Sequence, residues 1–341
     1  AFLTLLVLAL CVTTVLGSVD ILKNFYKLMG YEICARNNVN AVKERLESNL
    51  FAQPKAIETI YQAFTSKSPE RPLSMHFVGE NGVGKTFAAT LIADSLFTTP
   101  ENSLEGQLWL NGHSFVGKPE LVVRQTIEEQ IMAQLIKCPE SLIVLDEAEL
   151  LHWRAILIFQ QFLDDSTKKR KYNGKTVILS KATYIFISDF AKSGVTRDKT
   201  ELEIHSMVKE EANKVWRDPK QHMLTNFVVP FFTKTREGAH QKVEFLIEHE
   251  LRQHPVIKNA KINIVQLDCD VEEISDIIYD AAEKGPHKDS NYRGIVNEFT
   301  NLIVTKVTGE VQLNGIHDQE VAIVIAKEGI RFLWGNDKRE L

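Results

Sequence analysis

Residues 79–86 read Gly-Glu-Asn-Gly-Val-Gly-Lys-Thr and fill every fixed position of the pattern GxxxxGK[ST]. The motif constrains the fold because it works only between the end of a buried strand and the start of a helix. The apolar run 73–78 predicts that strand, and 87–97 carries helical periodicity. Gly79, Gly82 and Gly84 let the main chain approach a polyphosphate, whose charge backbone N–H groups and a helix N-terminus can hold. Glu80, Asn81 and Val83 complete the loop. Lys85 suits the β- and γ-phosphates and the Thr86 hydroxyl suits Mg²⁺. ATP and Mg²⁺ are the expected cofactors.

A second apolar strand, 141–145, ends in Asp146 and Glu147, 61 positions (146 − 85) after Lys85. At a strand end Asp146 can hold Mg²⁺ through its water shell, and Glu147 can polarise an attacking water. Further strands are expected at 107–111 and 182–187, with helices at 19–50, 52–64, 120–137, 150–164 and 200–223. Strands alternating with helices argue for an α/β fold with a doubly wound parallel sheet. From about Glu237 the pattern changes to helices at 241–252, 271–283 and 292–307, with strands at 310–313 and across 321–334. The expected division is a signal peptide at 1–17, a helical lead at 18–48 and a large nucleotide-binding domain at 49–236. A smaller helical domain ending in a β-hairpin follows at 237–335, with a tail at 336–341.

Charged residues are 25% of the chain and the formal net charge is −5, so no nucleic-acid partner is expected. The basic run 168–171, beside Tyr172-Asn173-Gly174, reads as a solvated loop. Residues 1–17 are uncharged and apolar but short for a bilayer span, and Val15 and Gly17 suit a signal-peptide cut. The last four residues, Lys-Arg-Glu-Leu, are one substitution from a KDEL retrieval signal. Together these ends point to the lumen of the endoplasmic reticulum. Beyond Cys11, the cysteines are Cys34, Cys138 and Cys269, so at least one is free or bonds between chains. His249 and His254 stand five apart, about 140° round a helix, which is wrong for a shared zinc.

The segments Leu50-Phe51-Ala52-Gln53, HFVGENGVGKT (76–86), SLIVLDEAELLH (141–152) and ATYIFISDF (182–190) resemble the Clp branch of the AAA+ ATPases, and within it the torsins. The resemblance runs from about residue 46 to 307. It implies an AAA+ P-loop NTPase fold, protein clients, a ring-like homo-oligomer and a luminal setting. Clp proteins carry an arginine finger in the segment equivalent to 226–232, whereas here Phe227 is followed by Val228, Val229 and Pro230. The resemblance therefore implies a membrane-anchored luminal activator that supplies the arginine, with Arg217 and Arg236 as the displaced alternatives within the chain. The phosphate loop ends in Thr86, as in Clp proteins, where animal torsins carry Asn, and the torsin Gly-Cys-Lys is replaced by Asn291-Tyr292-Arg293. Arg293 is the expected γ-phosphate sensor. The sensor-1 position, usually Asn, falls at Asp189, with Ser188 as the alternative. Phe115, in Ser114-Phe-Val-Gly117, resembles the substrate-gripping pore loop of Clp unfoldases, or else packs beneath a loop.

Overall fold

The computed structural model describes residues 34, 36–97, 105–164, 166–190, 199–217, 227–266, 271–286, 290–326 and 329–335. The expected signal peptide, most of the helical lead, Cys269 and the C-terminal tail lie outside them. Helix α1 (Val39–Asn49) starts where the Asn38 side chain accepts from the Asn40 N–H, and α2 (Pro54–Thr65) starts at a proline in its first turn. Then come β1 (Leu73–Val78), α3 (Lys85–Leu96), β2 (Gln107–Asn111) and α4 (Glu120–Lys137). After β3 (Leu142–Asp146) the chain makes two short helices, α5 (Trp153–Ile156) and α6 (Gln160–Leu163). A β4 (Lys169–Tyr172), β5 (Lys175–Ile178) pair leads to β6 (Thr183–Ser188), α7 (Glu201–Trp216) and β7 (Phe227–Pro230).

Strands β2, β3, β6, β1 and β7 form one sheet in that order, every pair parallel. Side chains alternate across a strand, so the runs 142–145 and 184–187 must be apolar on both faces. Ile143, Leu145, Tyr184 and Phe186 join α4, α5, α6 and α7 in one core. Leu142, Val144, Ile185, Ile187, Met75 and Phe77 join α1, α2 and α3 in the other. Buried parallel sheets read as continuous apolar runs for this reason.

A disulfide between Cys34 and Cys138 ties the segment before α1 to the end of α4. Beside it the Arg36 guanidinium donates to the Glu140 carbonyl through Nε (2.9 Å) and to Thr183 Oγ1 (3.2 Å). Burial lowers the Arg36 pKa to about 10.

The remaining chain forms α8 (Arg236–Phe245), which runs into a π-helical turn at Leu246–Leu251, α9 (Pro255–Asn259), β8 (Asn263–Gln266) and α10 (Val271–Lys284). Helix α11 (Asn291–Phe299) passes through a π-helical stretch, Thr300–Val304, into α12 (Thr305–Asn314). The hairpin β9 (Glu320–Ala326), β10 (Gly329–Trp334) follows, with β8 parallel to β9. These elements close a third core that includes Val243, Ile278, Ile295, Phe299, Val307 and Ile323.

Four readings of the sequence are corrected. The basic run 168–171 is not a loop but the start of the β4–β5 hairpin, whose turn uses Asn173 (φ 47°) and Gly174 (φ 76°). Asn-Gly with both φ positive is the favoured two-residue hairpin turn. The helix expected at 150–164 starts at Trp153 and is joined by a 3₁₀ turn, Leu157–Phe159, which keeps Ala155, Ile158, Phe159 and Phe162 buried together. The strand expected at 310–313 is the end of α12: Val307 and Val311 share a buried helical face, Leu313 is exposed, and Gly315 (φ 59°) ends the helix. Strand β8 was not expected, because four residues beside a short helix carry little periodicity.

Candidate nucleotide-binding site

Parallel strands present their C-terminal ends together, and in open α/β sheets ligands bind there. Val78 pairs with Ser188 across β1 and β6, so Gly79 and Asp189 leave the sheet side by side, and Asp146 ends β3 on the far side of β6. The loop 79–86 crosses this edge. Gly79 (φ 141°) and Gly82 (φ 77°) hold backbone that other residues rarely adopt. A Cβ on Gly79 would lie 2.5 Å from the Phe231 carbonyl oxygen, and one on Gly82 would lie 2.1 Å from that of Ser290. The loop is thus wedged between β7 and the start of α11.

Lys85 is 6% exposed, and its ammonium donates to Gly79 O (2.9 Å), Glu80 O (2.6 Å) and Asp189 Oδ1 (3.0 Å). Burial lowers its pKa, and Asp189 acts against that. The Thr86 hydroxyl donates to Asp146 Oδ2 at 3.1 Å, while Asp146 Oδ1 accepts from the Glu147 N–H at 3.0 Å. Burial raises the Asp146 pKa, opposed by the Thr86 hydrogen bond. Glu147 is exposed and has φ 53°; Gly112 brings the chain after β2 so close that a Cβ would meet the Glu147 carbonyl at 2.0 Å.

A cleft of about 710 Å³ is lined by Gly82, Lys85, Thr86, Asp146, Glu147, Asp189 and Arg293, with Asn81, Gly84 and Tyr292 on its walls. Arg293 is exposed in the first turn of α11. Ser188 is turned into the core, with its Oγ 2.7 Å from His76 Nε2. Of the two sensor-1 alternatives, Asp189 is therefore the side chain that meets the phosphate loop.

Mg²⁺ takes oxygen ligands and is usually held by one or two side chains plus substrate phosphates. The Thr86 hydroxyl and the Asp146 carboxylate, hydrogen-bonded to each other in the cleft wall, fit that requirement. Among the described residues no cluster of three or more His, Cys, Asp or Glu could cage a metal by itself.

Three contributors were not foreseen. Asn291 is buried with φ 48°; its amide donates to Glu80 Oε2 (3.1 Å) and Asn81 O (2.8 Å), and its Oδ1 accepts from the Lys234 N–H (3.3 Å). Gln53 donates to Phe232 O (2.8 Å) and Val83 O (3.3 Å) and accepts from the Phe232 N–H (2.9 Å). His76 supports the end of β6 and stacks on Trp216, their ring centres 5.6 Å apart. A single Asn, Gln or His carries no periodic signal that sequence reasoning could have used.

Other candidates stand elsewhere. Phe115 is half-buried against the large core, the Lys118 ammonium 5.5 Å from its ring centre, and Val116 beside it is exposed. Arg236 pairs with Asp276 (2.8 Å) and Asp280 (2.5 Å), and Arg217 lies 5.7 Å from the Trp153 ring centre.

The sheet order, the phosphate loop after β1 and the acidic pair at the end of β3 define a P-loop NTPase of the AAA+ class. Residues 26–145 match the family model Torsin. The chain is 28% identical over 188 residues to the chaperone protein ClpB of Clostridium tetani, which is 52% of this chain and 22% of ClpB. It is 28% identical over 256 residues to the ATP-dependent Clp protease ATP-binding subunit ClpE of Streptococcus pneumoniae, covering 70% of this chain and 33% of ClpE. In fold it is similar to Hsp104 of S. cerevisiae in its ADP complex, with TM-score 0.62 at 21% identity over 86% of this chain and 52% of that one. The chain thus spans about a third or less of these two Clp relatives and about half of Hsp104.

Proposed function

We propose that this chain is a luminal ATPase of torsin type, which binds ATP with Mg²⁺ and uses its hydrolysis to remodel protein partners. The observation that carries the reading is the convergence of Lys85, Thr86, Asp146 and Glu147 on one cleft at the strand ends. Lys85 and the N–H groups of 79–86 hold phosphate charge, and Thr86 with Asp146 hold the metal. Bound Mg²⁺ would neutralise charge on the phosphates. Glu147 is placed to take a proton from an attacking water, and Arg293 to sense the terminal phosphate.

Support for the endoplasmic reticulum lumen comes from the Cys34–Cys138 disulfide, since such bonds persist in oxidising compartments. Activation by a membrane-anchored luminal partner is supported by β7. The segment where a finger would stand is the strand Phe227–Pro230 at the edge of the sheet, and it holds no arginine. A trans arginine is worth roughly 10³–10⁵ in turnover where one acts, so the chain alone should hydrolyse ATP slowly. The homo-oligomeric ring and protein clients are inferred from the Clp relationship. The half-buried packing of Phe115 favours this reading over a threading unfoldase.

The test is ATP binding and steady-state hydrolysis by the purified chain beside Lys85→Ala and Glu147→Gln. The expected result is binding that needs Lys85, with little turnover. Fast turnover lost in Glu147→Gln would overturn partner activation, and absence of nucleotide binding would overturn the reading itself.

A further inference from the structure

An ammonium group has three donors, and all three of Lys85's are engaged. Two go to the carbonyls of Gly79 and Glu80, within the loop that contains the lysine. The third goes to Asp189, a carboxylate from a different strand, 3.0 Å away. A phosphate oxygen can reach Lys85 only by displacing one of these acceptors. The carbonyls belong to backbone held by Gly79 and by the Asn291 bonds to Glu80 and Asn81, whereas Asp189 reaches Lys85 through a side chain that is 28% exposed. The other acidic groups bearing on Lys85 are Asp146 and Glu149, and Asp189 is the nearest of them in effect.

We infer that Asp189 is a positioning residue that holds Lys85 in the nucleotide-free chain and must release it to polyphosphate, and so sets nucleotide affinity. This rests on the nucleotide-binding reading above. A neutral amide at this position would orient water and, lacking charge, hold Lys85 less tightly against phosphate. A carboxylate instead competes for the lysine, and once displaced it faces the phosphates with like charge. The same carboxylate compensates the buried ammonium when no nucleotide is present. Asp189 therefore stabilises the empty protein and opposes the loaded one.

These two roles give opposite signs in one variant. Asp189→Asn should bind ATP about tenfold more tightly, the effect of removing one charged hydrogen-bond competitor. Its melting temperature without nucleotide should be lower than that of the wild type. Binding is read with a fluorescent ATP analogue displaced by ATP, and melting by calorimetry, so neither depends on turnover. A residue that merely supports the fold would weaken both, and one that only orients water would change neither.

In a Lys85→Ala background, Asp189→Asn should no longer lower the melting temperature, because the charge it compensates is gone. Asp189→Ser serves as a second variant. Wild-type protein that binds no nucleotide would sink the function proposed above, independently of this inference. Wild-type binding with unchanged or weaker affinity in Asp189→Asn would overturn the inference. So would failure of both Asp189 variants to fold, since that would make Asp189 a support of the fold rather than a counter-ion.

Discussion

Replacing Asn291 tests how the helical C-terminal unit is locked to the phosphate loop. Its side chain makes three hydrogen bonds, two to the loop and one to the backbone of Lys234. At about 1 kcal/mol each, these sum to about 3 kcal/mol. Its φ of 48° is left-handed, which asparagine tolerates, whereas another residue with a Cβ pays roughly 1–2 kcal/mol. Asn291→Gly loses the bonds without that strain, so it should cost about 2–3 kcal/mol. Asn291→Ala loses the bonds and adds strain, about 4 kcal/mol in all. Denaturant unfolding followed by tryptophan fluorescence measures both, and nucleotide affinity should fall in both because Glu80 and Asn81 lose their anchor. The reasoning is refuted if Ala is better tolerated than Gly, or if either variant lies within about 0.5 kcal/mol of wild type.

Two further outcomes are expected. The Cys34–Cys138 bond spans 104 positions, for which the chain-entropy relation gives about 4.7 kcal/mol as an upper figure; Cys138→Ser or reductant should lower the melting temperature markedly, and an unchanged melt would refute the staple. His76 is buried, and burial lowers its pKa from 6.5 to about 3, so the folded chain keeps it neutral where the unfolded chain takes a proton. Its contribution is complete above pH 6.5 and is lost as pH falls towards 3, so going from pH 6.5 to 5 should cost up to about 2 kcal/mol. A His76→Gln variant should lack that share of the acid sensitivity, and an identical pH profile would count against the assignment.

Local information was enough for much of this molecule. The GxxxxGK[ST] pattern needs a strand before it and a helix after it, and β1 and α3 stand there because the apolar periods on either side demand them. Double-sided burial likewise made β3 and β6 legible as continuous apolar runs. Boundaries failed where the signal was short or two periods coincided, as at 310–313, where a four-residue alternation lost to the spacing of Val307 and Val311. The Asn-Gly turn at 173–174 was visible but was outweighed by the charge of the run before it.

What the chain's order of residues determined by itself is the chemistry available: a phosphate loop, an acidic pair at a strand end, and no arginine between Phe227 and Pro230. What tertiary structure alone decided is which side chains meet. Lys85 and Asp189 are 104 positions apart, and Asn291 lies 210 positions from Asn81. Contacts at such separations follow from strand order and from the angle at which α11 meets the loop. Neither leaves a period in the sequence, because each depends on one side chain rather than on a repeated face.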